Sequence, residues 1–170
     1  DLKNSEIETS FGFDTATKVY SEVIGNIMRD CNSAKKYWHF IKLMGRSASH
    51  VTLECALQTH PNITLIGEEV EAKNQTLDDV VTYIAEAVTD RANLGMNYGV
   101  VLVPEGLIEF IPAIKKLIAE LNDMLAANQA DFDLVASDHK IDYVLAHLSD
   151  ENAAIFRSLP LSVSRQLALE

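Results

Sequence analysis

The stretch Lys42-Leu43-Met44-Gly45-Arg46-Ser47-Ala48-Ser49-His50 decides the fold, because an apolar run there reaches a glycine turn, presents a cation and restarts as a helix. Before it, Trp38, Phe40, Ile41, Leu43 and Met44 form a short apolar run, the pattern of a strand buried on both faces. After it, Ser47 or Ser49 can cap a helix that continues through Val51, Leu53, Glu54, Cys55 and Leu57. A strand, a Gly-Arg turn and a capped helix set Arg46 beside free backbone N–H groups at the positive end of a helix dipole, which suits an anion such as phosphate. The same spacing is met if Met44 is core, Gly45 a plain turn and Arg46 half of a surface ion pair, and the stretch alone leaves both readings open.

Working outward, Ala16, Val19, Tyr20, Val23, Ile24, Ile27 and Met28 recur at helix spacing and predict a first helix over about 14–29, capped by Asp14. A short turn at 30–36 leads to a strand at 37–44, and the helix after Arg46 ends near Thr59, ahead of Pro61. Ile63-Thr64-Leu65-Ile66 reads as a second buried strand, with Glu68 and Glu69 as solvated loop charges behind it. Thr76 caps a third helix whose stripe is Val80, Val81, Ile84, Ala85, Val88 and Ala92, and Gly95 closes it. Tyr98 to Val103 is a third strand, ended by Pro104-Glu105-Gly106.

Three rounds of helix and buried strand on short loops predict an α/β fold, a three-layer parallel sheet with helices on both faces. In such sheets ligands sit outside the carboxyl ends of the strands, so Met44-Gly45-Arg46 and Pro104-Glu105-Gly106 are expected on one rim. A cation and a carboxylate there could hold a sugar phosphate by its phosphate and its hydroxyls, although Glu105 taken alone fits a solvated loop carboxylate better. From Leu107 on, strand signals cease. Pro112 opens a helix, 128–138 reads as a loop, and helices follow at 141–148, 149–158 and from 162 onward. The expected organisation is an α/β sugar-phosphate-binding body over 1–112 and a helical extension over 113–170 packed on the same domain.

A chain of 170 residues can bury roughly two-thirds of its unfolded surface without staples. Cys31 and Cys55 have no metal-ligand spacing and read as reduced thiols, so the expected compartment is the cytoplasm. The formal charge of −11 repels polyanions, so neither nucleic acid nor an anionic membrane surface is an expected partner. No apolar run approaches the roughly 20 residues of a membrane span, and 1–10 is polar where a signal peptide would be basic and then apolar. From the start at Asp1, without an initiator Met, the expectation is a piece of something longer.

Four segments together, Phe11-Gly12-Phe13-Asp14-Thr15-Ala16, Lys36-Tyr37-Trp38-His39-Phe40, Met44 to His50, and Pro104-Glu105-Gly106-Leu107-Ile108-Glu109-Phe110-Ile111-Pro112, resemble the long-type pyrophosphate-dependent phosphofructokinases, in that family's order and spacing. The resemblance implies the phosphofructokinase fold. It also implies an enzyme that moves a phosphoryl group reversibly from pyrophosphate to the 1-hydroxyl of fructose 6-phosphate, giving fructose 1,6-bisphosphate, a glycolytic step. By that resemblance Met44, Gly45 and Arg46 match the Met-Gly-Arg motif that contacts fructose 6-phosphate, with Arg46 near the group in transit. Glu105 matches the glutamate that holds sugar hydroxyls. Lys36 and Tyr37 match a pair that completes the sugar-phosphate site of a neighbouring subunit, which implies a homodimer with shared sites. Asp1 would be the last aspartate of the family's Thr-Ile-Asp-Gly-Asp signature, placing the catalytic base upstream of Asp1.

The resemblance further implies Mg2+, with ligands outside this stretch, so the isolated piece is expected to be inactive. The alternative is a non-catalytic sugar-phosphate-sensing or regulatory subunit of the same fold. The choice of pyrophosphate over ATP rests on likeness to the long form alone.

Overall fold

The computed structural model describes residues 10–46, 48–135 and 139–169. Its described parts fall into two compact units, Asp1–Ile111 and Pro112–Glu170.

The first unit is built on helix α1 (Phe13–Ala34), strand β1 (Tyr37–Leu43), helix α2 (His50–Thr59), strand β2 (Ile63–Thr64), helices α3 (Gly67–Ala72) and α4 (Leu77–Asn93), and strand β3 (Tyr98–Pro104). A 3-10 turn at Leu107–Phe110 follows. The three strands form one parallel sheet in the order β1-β3-β2, so the fold is α/β with the last strand of the sequence in the centre. The chain passes outward from β1 to β2 and back to β3, and right-handed crossovers in opposite directions put α2 and α4 on opposite faces. On the α2 face, Leu43, Val100 and Leu102 pack with Ile24 and Cys31 of α1 and Cys55 of α2. Removing each large aliphatic side chain there from water stabilises the unit by about 1.5–3 kcal/mol. On the other face the Trp38 ring lies where a Cβ on Gly99 would be, and Arg91 of α4 stacks over that ring at 5.8 Å and donates to the Tyr98 carbonyl at 3.2 Å.

Several local expectations change. β1 is not buried on both faces, because it is a sheet edge: Tyr37 and Phe40 are 72% and 58% exposed while Leu43 is buried. α1 runs on to Ala34 because Cys31 continues its buried stripe, and Lys35, at φ 50, closes it. Its cap position is Gly12, and Asp14 pairs instead with Lys18 at 2.6 Å. β2 is only two residues long, yet Asn62 and Leu65 extend its track along β3 by donating to the Val100 and Leu102 carbonyls. Glu68 and Glu69, expected in a loop, form the first turn of α3. Thr76 caps α4 as expected, through a reciprocal box with Asp79. Of the α4 stripe only Val80 is fully buried, and Val81 is 54% exposed.

The second unit holds α5 (Pro112–Ala127), α6 (Gln129–Leu134), α7 (Lys140–His147), α8 (Asp150–Ser158) and α9 (Leu161–Leu169). Leu117, Leu121, Val144 and Phe156 form its core. α6 replaces the expected loop because Phe132 is buried, tilted against Tyr143 at 5.8 Å. Ser149 precedes α8 without capping it: its N–H and hydroxyl donate to Glu120 of α5 at 2.7 and 2.8 Å, and Asn152 donates to the same carboxylate. The Asn152 amide first, then the Ser149 N–H and hydroxyl, hold Glu120 below the usual carboxylate range. A depressed folded pKa stabilises above the unfolded pKa and is lost as pH falls through the folded one. Glu120→Ala is therefore expected to lower the urea midpoint at neutral pH. Its deficit against wild type should close as the pH is taken down through the carboxylate range, measured by circular dichroism at each pH.

Candidate functional site

Because β1 and β3 are adjacent and parallel, their carboxyl ends leave the sheet side by side, and the hydrogen bonding continues past the last strand residues. The Glu105 N–H donates to the Leu43 carbonyl at 2.8 Å, and the Gly106 N–H donates to the Gly45 carbonyl at 3.0 Å. Gly106 is required by this contact and Gly45 by the course of its own loop. Gly45 sits at φ 138, where a Cβ would lie 2.8 Å from the Ala48 carbonyl oxygen, and a Cβ on Gly106 would lie 1.8 Å from the Arg46 carbonyl oxygen.

Met44, Gly45, Arg46 and Glu105 consequently line one cleft of about 570 Å³ together with Phe11, Phe13 and His50. Met44 is 55% exposed into it and is not core, and Phe11 is fully exposed. The N-terminal ends of two helices meet here, α1 at Gly12 and Phe13 and α2 at His50 and Val51. Both dipoles favour negative charge. The α2 end was legible in the sequence; the α1 end was not, since it reaches the cleft only through the packing of α1 on β3 and α2.

The Arg46 guanidinium lies 3.9 Å from Glu109, with both side chains well exposed. Such a pair is worth about 0.2–1 kcal/mol, whereas a charge-assisted bond to a phosphate oxygen is worth about 1.5–3 kcal/mol, so the pair with Glu109 is no barrier to an anion at Arg46. With a cation, two helix ends and the Glu105 carboxylate on one wall, the cleft can take a ligand that is anionic at one point and hydroxylated at another.

Lys36 and Tyr37 lie elsewhere. They precede or open β1, whose seven residues at about 3.3 Å each put them some 20 Å from Met44, at the opposite end of the strand. Tyr37 is exposed and held at φ 68. Asp1, and the capping candidate Ser47, lie outside the described residues.

Sequence reasoning missed Glu68. Its carboxylate accepts the Ser49 N–H at 2.9 Å while the Ser49 hydroxyl accepts the Gly67 N–H at 2.9 Å. Partial burial pushes the Glu68 carboxyl up. The Ser49 N–H, its own N–H, the Ser49 hydroxyl and the charge of His50 outweigh burial and hold it below the usual range. The available signal was two glutamates after a glycine, the acidic first turn of a helix.

The phosphofructokinase family model matches residues 3–144. The chain belongs to the phosphofructokinase family. It is 67% identical over 98% of its length to a pyrophosphate–fructose 6-phosphate 1-phosphotransferase of Porphyromonas gingivalis, covering 30% of that protein. It is 54% identical over its whole length to the protein of Ricinus communis named as the beta subunit of that enzyme, covering 29% of it. To the relative of Arabidopsis thaliana named as subunit alpha 2 it is 43% identical over 99% of its length, covering 26%. The chain thus spans under a third of the length of these relatives.

Among the described residues of this phosphofructokinase chain, no group of three or more His, Cys, Asp and Glu side chains could hold a metal ion. No helix among the described residues is long and apolar enough to cross a membrane.

The Gly106 contact sets the first test of the rim. The Cβ of Gly106→Ala would strike backbone, which cannot swing aside, so the variant should lose about 1–3 kcal/mol of stability in urea unfolding. A variant as stable as wild type would mean that the two loops are not held together.

Proposed function

We propose that this chain is the fructose-6-phosphate-binding part of a phosphotransferase that moves a phosphoryl group from pyrophosphate to the 1-hydroxyl of fructose 6-phosphate, reversibly. The observation that carries the reading is the hydrogen-bonded junction of Met44-Gly45-Arg46 with Glu105-Gly106, in a chain two-thirds identical to a protein so named. In the transfer the sugar O1 bonds to the phosphorus as the bridging P–O bond breaks, orthophosphate leaves, and the 1-hydroxyl proton passes to a base outside this chain. Arg46 bonds phosphoryl oxygen as charge develops on it, Glu105 accepts from sugar hydroxyls, and the ends of α1 and α2 add fixed positive potential. These are positioning and electrostatic roles, which dominate phosphoryl transfer.

Magnesium at the donor phosphates, a homodimer with shared sites and a cytoplasmic location belong to the same proposal. The buried, unpaired Cys31 and Cys55 agree with a reducing compartment. The separation of Lys36 and Tyr37 from the cleft by the length of β1 supports a role for them in a neighbouring subunit's site.

Arg46→Ala in the full-length protein should lower turnover of fructose 6-phosphate by about 10-fold to 150-fold with the fold intact, the equivalent of one charge-assisted phosphate bond. Near-normal steady-state kinetics would return Arg46 to its surface pair with Glu109.

If Lys36 serves the neighbour's site, inactive Lys36→Ala and Arg46→Ala proteins refolded together should recover up to about a quarter of wild-type activity. Random pairing makes half the dimers mixed, each with one intact site. No recovery, with mixed dimers demonstrated by mass, would place Lys36 in its own subunit's machinery or in the fold.

A further inference from the structure

We infer that Glu68, through Ser49, is a positioning residue for the sugar-phosphate rim, and this rests on the reading that Arg46 contacts the sugar phosphate. The turn bearing Arg46 is tied down at both ends. Upstream it is fixed by the Gly106 N–H on the Gly45 carbonyl. Downstream the chain enters α2 at Ser49, which is only 2% exposed and has lost its usual capping role. Its hydroxyl accepts the Gly67 N–H at the start of α3, and its own N–H donates to the Glu68 carboxylate.

One carboxylate and one hydroxyl thus join the N-terminal ends of α2 and α3 reciprocally. On either side of Arg46, Gly45 and Ala48 approach closely, a Cβ on Gly45 lying 2.8 Å from the Ala48 carbonyl oxygen, so the joint at Ser49 and the Gly45 end next to Arg46 are near neighbours. α3 is held in its turn by Phe110, whose ring fills the space where a Gly67 side chain would be. That ring belongs to the same 3-10 turn as Glu109, the Arg46 partner. The clamp therefore closes a circuit from β3 through Phe110, Gly67, Glu68 and Ser49 back to the rim. The adjacent Glu69 has no part in it, since it faces outward and pairs with Lys73 at 2.5 Å.

The test compares Glu68→Ala, Glu68→Gln and Glu69→Ala in two assays. In the 170-residue chain, amide hydrogen exchange at Ser49 is read by NMR. In the full-length protein, the Michaelis constants for fructose 6-phosphate and pyrophosphate are measured beside those of Arg46→Ala. Glu68→Ala should speed Ser49 exchange about 10-fold, as expected for loss of a hydrogen bond to a charged acceptor. It should also raise the sugar constant several-fold and leave the pyrophosphate constant unchanged. Glu68→Gln keeps an acceptor oxygen and should restore much of both; Glu69→Ala should match wild type. Unchanged Ser49 exchange in Glu68→Ala overturns the clamp whatever the kinetics. Faster exchange with an unmoved sugar constant, while Arg46→Ala is impaired, overturns the positioning role alone. If Arg46→Ala is also unimpaired, the functional reading falls and the positioning role falls with it.

Discussion

Everything at the rim depends on two backbone hydrogen bonds beyond the ends of the strands, Glu105 N–H to Leu43 and Gly106 N–H to Gly45. They extend the β1–β3 ladder into loop and so convert two strand exits into one surface. A parallel ladder sets the relative height of its strands, and the register Leu43 with Pro104 delivers Met44-Gly45-Arg46 and Glu105-Gly106 at the same level. A slip of one residue would turn every side chain of β1 to the other face and part the cation from the carboxylate.

The register in turn depends on the packing beneath it. β3 is the central strand, with Val100, Val101 and Leu102 at 0–1% exposure, and α1 and α2 press on its neighbour through Leu43, Ile24 and Cys55. The edge strand β1 can carry exposed Tyr37 and Phe40 because its inward residues alone fix its position. Rigidity at the base thus permits an open cleft at the top, where Arg46 is only weakly engaged and free to exchange Glu109 for a ligand.

The two ends of β1 divide the proposed labour. Its carboxyl end presents a cation toward a cleft within the unit, and its amino end presents Lys36 and a Tyr37 in an unfavourable positive-φ conformation toward solvent. A strand of seven residues cannot bring both to one small ligand. The strain at Tyr37 is sustained by the ladder bond network of β1 against β3 and by the left-handed closure of α1 at Lys35.

The sequence by itself determined the order of helices and strands in the first unit apart from α3, the parallel class and the placing of Arg46 and Glu105 on one rim. Short-range signals carried all three: apolar runs too short for helices, a capping Thr76 with Asp79 three residues on, and the rule that parallel strands expose their carboxyl ends together. What it misplaced were features whose cause lies far along the chain. α6 exists because Phe132 finds Tyr143, and Ser149 gives up a cap for Glu120 twenty-nine residues away. Glu68 reads as a solvated charge until α3 is laid against the start of α2. Only the tertiary structure could decide these, because a hydrogen bond or buried ring outweighs the local preference of a six-residue segment, and its partner is chosen by the fold.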